Sequence, residues 1–151
     1  MKGFYNLTTK LKTSLLEDEF VNTVTYGDIF DVDLKKQSIF PISHFIVNNG
    51  TYNGNVWTFS ISLLCMDIVD YSKEDTVDEF VGNDNLHDVL NTQLAVINRL
   101  LERLRRGDLM NDLYQLNGTP SVEPFREKAD NLLAGWTLSF DVDVINDMTI
   151  C

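Results

Sequence analysis

Covalent catalysis needs a nucleophile beside a base, and the commonest base is histidine. The chain has two histidines. His44 opens an apolar stretch, His44-Phe45-Ile46-Val47, and reads as a strand-edge residue. His87 stands near the start of a long helical pattern and reads as a first-turn surface residue. Neither Cys65 nor any serine lies in a Gly-x-Ser-x-Gly elbow, so no activated nucleophile is expected. Metal chemistry fares no better. Zinc wants closely spaced cysteines and histidines, and a calcium loop wants alternating oxygen ligands around a glycine and a closing glutamate. Asp31-Val32-Asp33 runs into Leu34 and Lys35, which breaks the calcium pattern. None of the eight glycines forms the closely spaced set that cradles a phosphate at a helix start. The expectation is a protein that is not an enzyme and carries no cofactor or metal.

What stands out instead is charge. Twelve basic residues against 23 acidic ones give a formal net charge of -11, which argues against general nucleic-acid binding, since that affinity comes mostly from Lys and Arg neutralising phosphates. The charge is also segregated. Between residues 67 and 84, Asp67, Asp70, Glu74, Asp75, Asp78, Glu79 and Asp84 face only Lys73, so seven minus one gives minus six, the signature of an acidic loop or arm. Between 99 and 106, Arg99, Arg103, Arg105 and Arg106 face only Glu102, four minus one giving plus three. An acidic arm meeting the basic stretch of a neighbouring copy is a heterologous contact of the kind that closes rings. Asp70, Glu74, Asp75, Asp78 and Glu79 with Arg99, Arg103 and Arg106 are therefore the candidate subunit interface.

These residues need elements to hold them. A chain of 151 residues that is 44% hydrophobic has the size and composition of one globular domain, residues 1–151. Phe4, Leu7, Leu11, Leu15, Leu16 and Phe20 recur at helical spacing, giving an amphipathic N-terminal helix. Asn22 to Tyr26 is β-branched and stops at Gly27-Asp28, a short strand before a turn. Residues 29–43 read as a loop or irregular crossing. His44 to Val47, an Asn- and Gly-rich stretch to Asn55, and Val56 to Asp70 form a long β-hairpin. Its second arm alternates Trp57, Phe59, Ile61 and Leu63 with polar residues, then changes phase at Leu64, Met66 and Ile68, which signals a bulge or a stretch covered on both faces.

The strongest helix runs from Asp84 to Arg106, its apolar face drawn from Leu86, Val89, Leu90, Leu94, Ile97, Leu100, Leu101 and Leu104. Asn83 or Asp84 is the expected N-cap, and Gly107 is placed to end it. A short strand at Leu113–Leu116 and a turn at Asn117-Gly118-Thr119-Pro120 follow. The clearest strand comes last, with Trp136, Leu138, Phe140, Val142 and Val144 alternating with Thr137, Ser139, Asp141 and Asp143. Its pattern matches Trp57 to Leu63, so the two strands are expected to pair or to lie in one sheet over the central helix. Asp141 and Asp143 occupy the polar face. The fold class is α+β, a mixed, mostly antiparallel sheet with a long hairpin, packed against an N-terminal and a central helix.

Met1-Lys2-Gly3-Phe4-Tyr5-Asn6 opens without an uninterrupted apolar stretch, and no apolar run reaches membrane-spanning length, so folding in a cytoplasm and no membrane partner are expected. Cys65 and Cys151 are expected to be free thiols there.

Glu123-Pro124-Phe125-Arg126, followed by Asn131-Leu132-Leu133-Ala134-Gly135-Trp136 and an alternating strand, resembles small bacteriophage tail and neck proteins. So does Val24-Thr25-Tyr26-Gly27-Asp28 with Phe40-Pro41-Ile42-Ser43-His44. With the order of elements, the resemblance covers most of the chain and is nearest to the tail terminator or tail completion group. It implies a structural virion protein that forms a ring, sixfold or twelvefold, assembled in a host cytoplasm. Such a ring ends the tail and joins it to neck or connector proteins, with DNA passing through and no catalytic residues. Asp141 and Asp143 are then candidate bore-lining residues, because a negative bore lets DNA pass without holding it. A ring adaptor of a short-tailed phage and a non-viral α+β binding module are the alternatives.

Overall fold

The computed structural model describes residues 2–28, 37–69, 85–111, 114–128 and 132–146. The chain is an α+β protein. In order it forms α1 (Lys2–Leu16), β1 (Thr23–Tyr26), a 3-10 turn (Gln37–Ile39), β2 (Ile42–Asn53), β3 (Val56–Ile68), α2 (Leu86–Arg106), the short α3 (Asp108–Asn111), β4 (Tyr114–Lys128) and β5 (Leu132–Ile145). The five strands form one sheet in the order β1-β2-β3-β5-β4. Only β1 and β2 run parallel.

Alternation along the strands sorts side chains to two faces. Phe59, Ile61, Leu63 and Cys65 of β3 and Leu138, Phe140, Val142 and Val144 of β5 pack with Leu7, Leu11 and Leu15 of α1 and Val96, Ile97, Leu100 and Leu104 of α2. The two Trp-led patterns do pair, antiparallel, from Val56↔Ile145 to Ile68↔Leu133 without a register break. The phase change after Leu63 is thus a stretch covered on both faces. Met66 belongs to the face away from the helices, where it is buried with Phe40, Ile42 and Leu133. The irregularity lies on the partner strand instead, between Val47 and Asn49.

Several expectations need correction. The Asn- and Gly-rich stretch is mostly strand. β2 continues to Asn53, and the turn is only Gly54-Asn55, with Gly54 at φ +64°. The turn expected at Asn117 to Pro120 is an irregularity inside β4, between Asn117 and Ser121, with Gly118 at φ +72°. Glycine supplies the left-handed conformation that lets the strand resume its pairing. β4 is an edge strand, where Pro120 and Pro124 cost no ladder bond. α1 ends at Leu16, four residues early, and the chain turns through Glu17 to Phe20.

The inward face of α2 is also rotated from the expected one. Val89, Gln93, Val96, Ile97, Leu100 and Leu104 are buried, whereas Leu94 is exposed and Leu101 half-buried toward β4. Asn85 precedes the helix, its carbonyl accepting from the Val89 amide, and the caps expected at Asn83 or Asp84 lie outside the described residues. At the other end, the Gly107 amide donates to the Arg103 carbonyl, and a Cβ at 107 would lie 2.8 Å from Arg103 Cα. Gly107 therefore ends the helix by close approach.

Gly135 shows why the Leu133-Ala134-Gly135-Trp136 stretch has a glycine. A Cβ there would sit 1.9 Å from the Cys65 carbonyl oxygen, which is backbone of the adjoining strand. Gly135→Ala should cost about 3 kcal/mol, at the upper end of overpacking penalties, because neither strand can move without disturbing the ladder. Urea denaturation checks it; a loss under about 1 kcal/mol would mean that the strands part freely.

Gln93 is the second sensitive position. Its side chain is fully buried, and neither amide atom has a hydrogen-bond partner among the described residues. A buried amide without a protein partner costs about 1–3 kcal/mol, so Gln93→Met should leave stability unchanged or raise it by about 1 kcal/mol. A thermal melt reads this directly, and a fall of more than about 1 kcal/mol would show the amide to be held.

Candidate functional site

The helices cover one face of the sheet; the other is apolar around Met66 and Leu133 at one end and polar along the rest of β3, β5 and β4. Asp141 and Asp143 stand on that open face, directly across from Ser60 and Thr58 on β3 and from Asn117 and Gln115 on β4. Asp143 accepts from the Thr58 hydroxyl at 2.6 Å and from the Asn117 amide at 3.0 Å, which ties three strands together. Both carboxylates are half-buried. The same face carries Ser62, Thr137, Ser139, Ser121 and Glu123, and its strand positions include no Lys or Arg. Among the described strand positions it is a hydroxyl-rich stretch whose charges are negative.

The basic stretch of α2 does something the sequence reading did not anticipate. Arg99 reaches Asp18 with two hydrogen bonds, 2.6 Å from Nε and 2.9 Å from Nη2, and its guanidinium lies 5.5 Å from the centre of the Phe20 ring. Arg103 donates to Glu17 at 2.7 Å and to the Ser14 carbonyl at 3.5 Å. Arg106 and Arg105 pair with Glu102 on their own helix. The segment Glu17-Asp18-Glu19 places three acids at the C-terminal end of α1, where the helix dipole is already negative. Arg99 and Arg103 neutralise that end. A run of acids closing a helix was the available signal for this pairing. Asp70, Glu74, Asp75, Asp78 and Glu79, the other half of the expected interface, lie outside the described residues, as do Asp31 and Asp33.

Burial alone would raise the Asp18 carboxyl. The hydrogen bonds from Arg99, the Phe20 amide bond and the positive charges of Arg99 and Arg103 together outweigh it and hold the carboxyl below its ordinary value of 3.8. The same contact raises the Arg99 guanidinium. Cys65 behaves oppositely. Burial pushes its thiol up to about 12, only partly offset by its contact with the Ser43 hydroxyl at 3.5 Å. Cys65 is a free thiol, buried and unsuited to nucleophilic work.

His44 is not at a strand edge. It is fully buried on β2, between β1 and β3. Nε2 lies 2.6 Å from the Gly27 carbonyl, which can only accept, so Nε2 carries the proton and Nδ1 accepts from the Thr25 hydroxyl at 2.7 Å. This resembles a hydroxyl beside a base, but both nitrogens are used in fastening β1 to β2. His87 is exposed on the first turn of α2, as its position implied.

No group of three or more His, Cys, Asp or Glu capable of holding a metal occurs among the described residues. No helix among them is long and apolar enough to cross a membrane. A scan of protein-family models and a search of curated proteins each returned no match to this chain.

The Asp18–Arg99 contact makes a pH prediction. Because the folded-state carboxyl titrates below the unfolded one, its stabilisation is fully present above the unfolded value near 3.8 and is lost as pH falls through the lower folded value. Asp18→Asn should lower stability at pH 7 by about 1.5 kcal/mol, as for a hydrogen bond to a charged group. It should also flatten the fall in stability below pH 4. An unchanged acid limb in denaturation curves from pH 3 to pH 7 would count against this.

Proposed function

We propose that this chain is a structural virion protein of a bacteriophage tail or neck, building a ring that ends the tail, joins it to connector proteins and lets DNA pass through. The observation that carries the reading is the open sheet face. A sheet with one face packed under two helices and the other carrying Asp141, Asp143, Glu123, serines and threonines beside the apolar patch around Met66 suits a bore lining. Phosphate gains nothing there from counterion release, so DNA slides without being held. The absence of Lys and Arg from those strand positions distinguishes this face from a nucleic-acid binding surface. The resemblance in the Pro124 to Trp136 stretch supports the same assignment.

Asp141 and Asp143 serve this reading differently. Asp143 holds Thr58 and Asn117, so its replacement disturbs the sheet as well as the charge. Asp141 is the cleaner probe. Rings of six or twelve copies should be visible by negative-stain microscopy and native mass spectrometry, at high concentration or with tail proteins present. Asp141→Lys should leave the rings intact and slow genome passage in an assembly and ejection assay. A chain that stays monomeric with every candidate tail component would sink the ring, and normal ejection with Asp141→Lys would sink the bore assignment.

A further inference from the structure

With Arg99 and Arg103 committed to the end of α1, an acidic segment from a neighbour needs another cation, and the structure offers one on the far side of α1. A groove of about 360 Å³ runs between α1 and β1. Phe4, Val24 and Phe45 form its apolar part, Tyr5 and Tyr26 flank it at 73% and 51% exposure, and Lys12 stands at its rim. Its lining contains no acid. Lys12 has no ion-pair partner among the described residues, and α1 as a whole holds three lysines and no carboxylate. In a chain of net charge -11 this is an unusual concentration of positive charge beside exposed aromatic rings.

The other wall is a strand whose outer edge pairs with no strand among the described residues. β1 is the outermost strand. The amides of Thr23 and Gly27 donate inward, to the carbonyls of Pro41 and Phe45. Strand alternation turns the N–H and C=O groups of Val24 and Tyr26 the other way, past the outer edge of the sheet. The opposite edge, β4, is blunted by two prolines and an irregularity, whereas Thr23–Tyr26 has neither. An edge strand beside a helix, with pockets between them, is the arrangement in which an extended segment adds to a sheet. Main-chain hydrogen bonds then supply affinity, and side-chain pockets supply selectivity.

We propose that the groove between α1 and β1 is a strand-docking site for an extended acidic segment of a neighbouring copy, and that residues 70–84 are that segment. This rests on the ring reading above. The argument is charge and composition. Residues 70–84 carry six acids against Lys73, six minus one giving minus five, and include Val77, Phe80 and Val81 for the apolar part of the groove. A single contact of this size is weak, and repetition around a closed ring supplies the avidity. The pairing of acidic arm with basic helix expected from the sequence thus keeps its acidic half and exchanges α2 for α1.

The test uses the full chain and a fluorescein-labelled peptide of residues 70–84, followed by anisotropy at low salt. Saturable binding is expected, weakened about tenfold by Lys12→Glu and weakened in 0.5 M salt as screening removes the charge term. Hydrogen exchange at the Val24 and Tyr26 amides should slow on binding, which a merely electrostatic encounter would not produce. Lys12 is exposed, so the variant should fold, and circular dichroism verifies that. Equal binding of a scrambled peptide, no effect of Lys12→Glu, or capture of anionic lipid vesicles in place of the peptide would each overturn the proposal. Failure here separates from failure of the ring. Rings that assemble without peptide capture remove the groove, whereas peptide capture by a chain that never assembles removes the ring.

Discussion

Thirteen consecutive residue pairs join β3 to β5, and every other part of the molecule is placed by that ladder. It sets the alternation that sends Phe59, Ile61, Leu138 and Phe140 to the helices and Ser60, Ser62, Ser139 and Asp141 to the open face. A shift of one residue would exchange the two sets, burying carboxylates and exposing the core. Gly135 lets the two backbones approach at one end of the ladder, and the Trp136 indole, donating to the Leu90 carbonyl at 2.8 Å, fastens the same end to α2.

The second organising feature is the way charge is resolved inside the chain. Three acids follow the last turn of α1 and α2 approaches with arginines, so two unfavourable features, a negative helix end and a crowded basic turn, cancel one another. The consequence is selective. Arg99, Arg103, Arg105 and Arg106, which look available in the sequence, are occupied, whereas Lys12 has no ion-pair partner among the described residues.

Much of the fold was legible because its strands are regular. Trp57 to Leu63 and Trp136 to Val144 announce their period and even their pairing, and Leu7, Leu11 and Leu15 announce α1. The misreadings share a cause. Asn, Gly and Pro at 48–53 and 117–124 are turn residues by propensity, yet tertiary pairing carries both stretches as strand, with irregularities where the propensity objects. Periodicity favours Leu94 over Gln93 for the inward face of α2, because leucine is normally buried and an amide on a helix is normally solvated. The placement of Asp141 and Asp143 on a polar strand face could be read from alternation. The engagement of Arg99 and Arg103 is signalled only by the acids that follow α1; which arginine meets which acid depends on how two helices cross, which periodicity does not encode.

The order of strands carries a kinetic consequence. β5 lies between β3 and β4 although it follows both in the chain. β4 therefore has no strand to pair with until β5 arrives, and β3 keeps one bare edge through the synthesis of α2 and β4. The β2–β3 hairpin and α2 are local structures that form early, but sheet closure waits for contacts spanning up to about ninety residues, the kind of non-local pairing that slows folding. Until then two complementary edges stand open at once, and insertion of the last strand completes the core and removes the template for mispairing in one step.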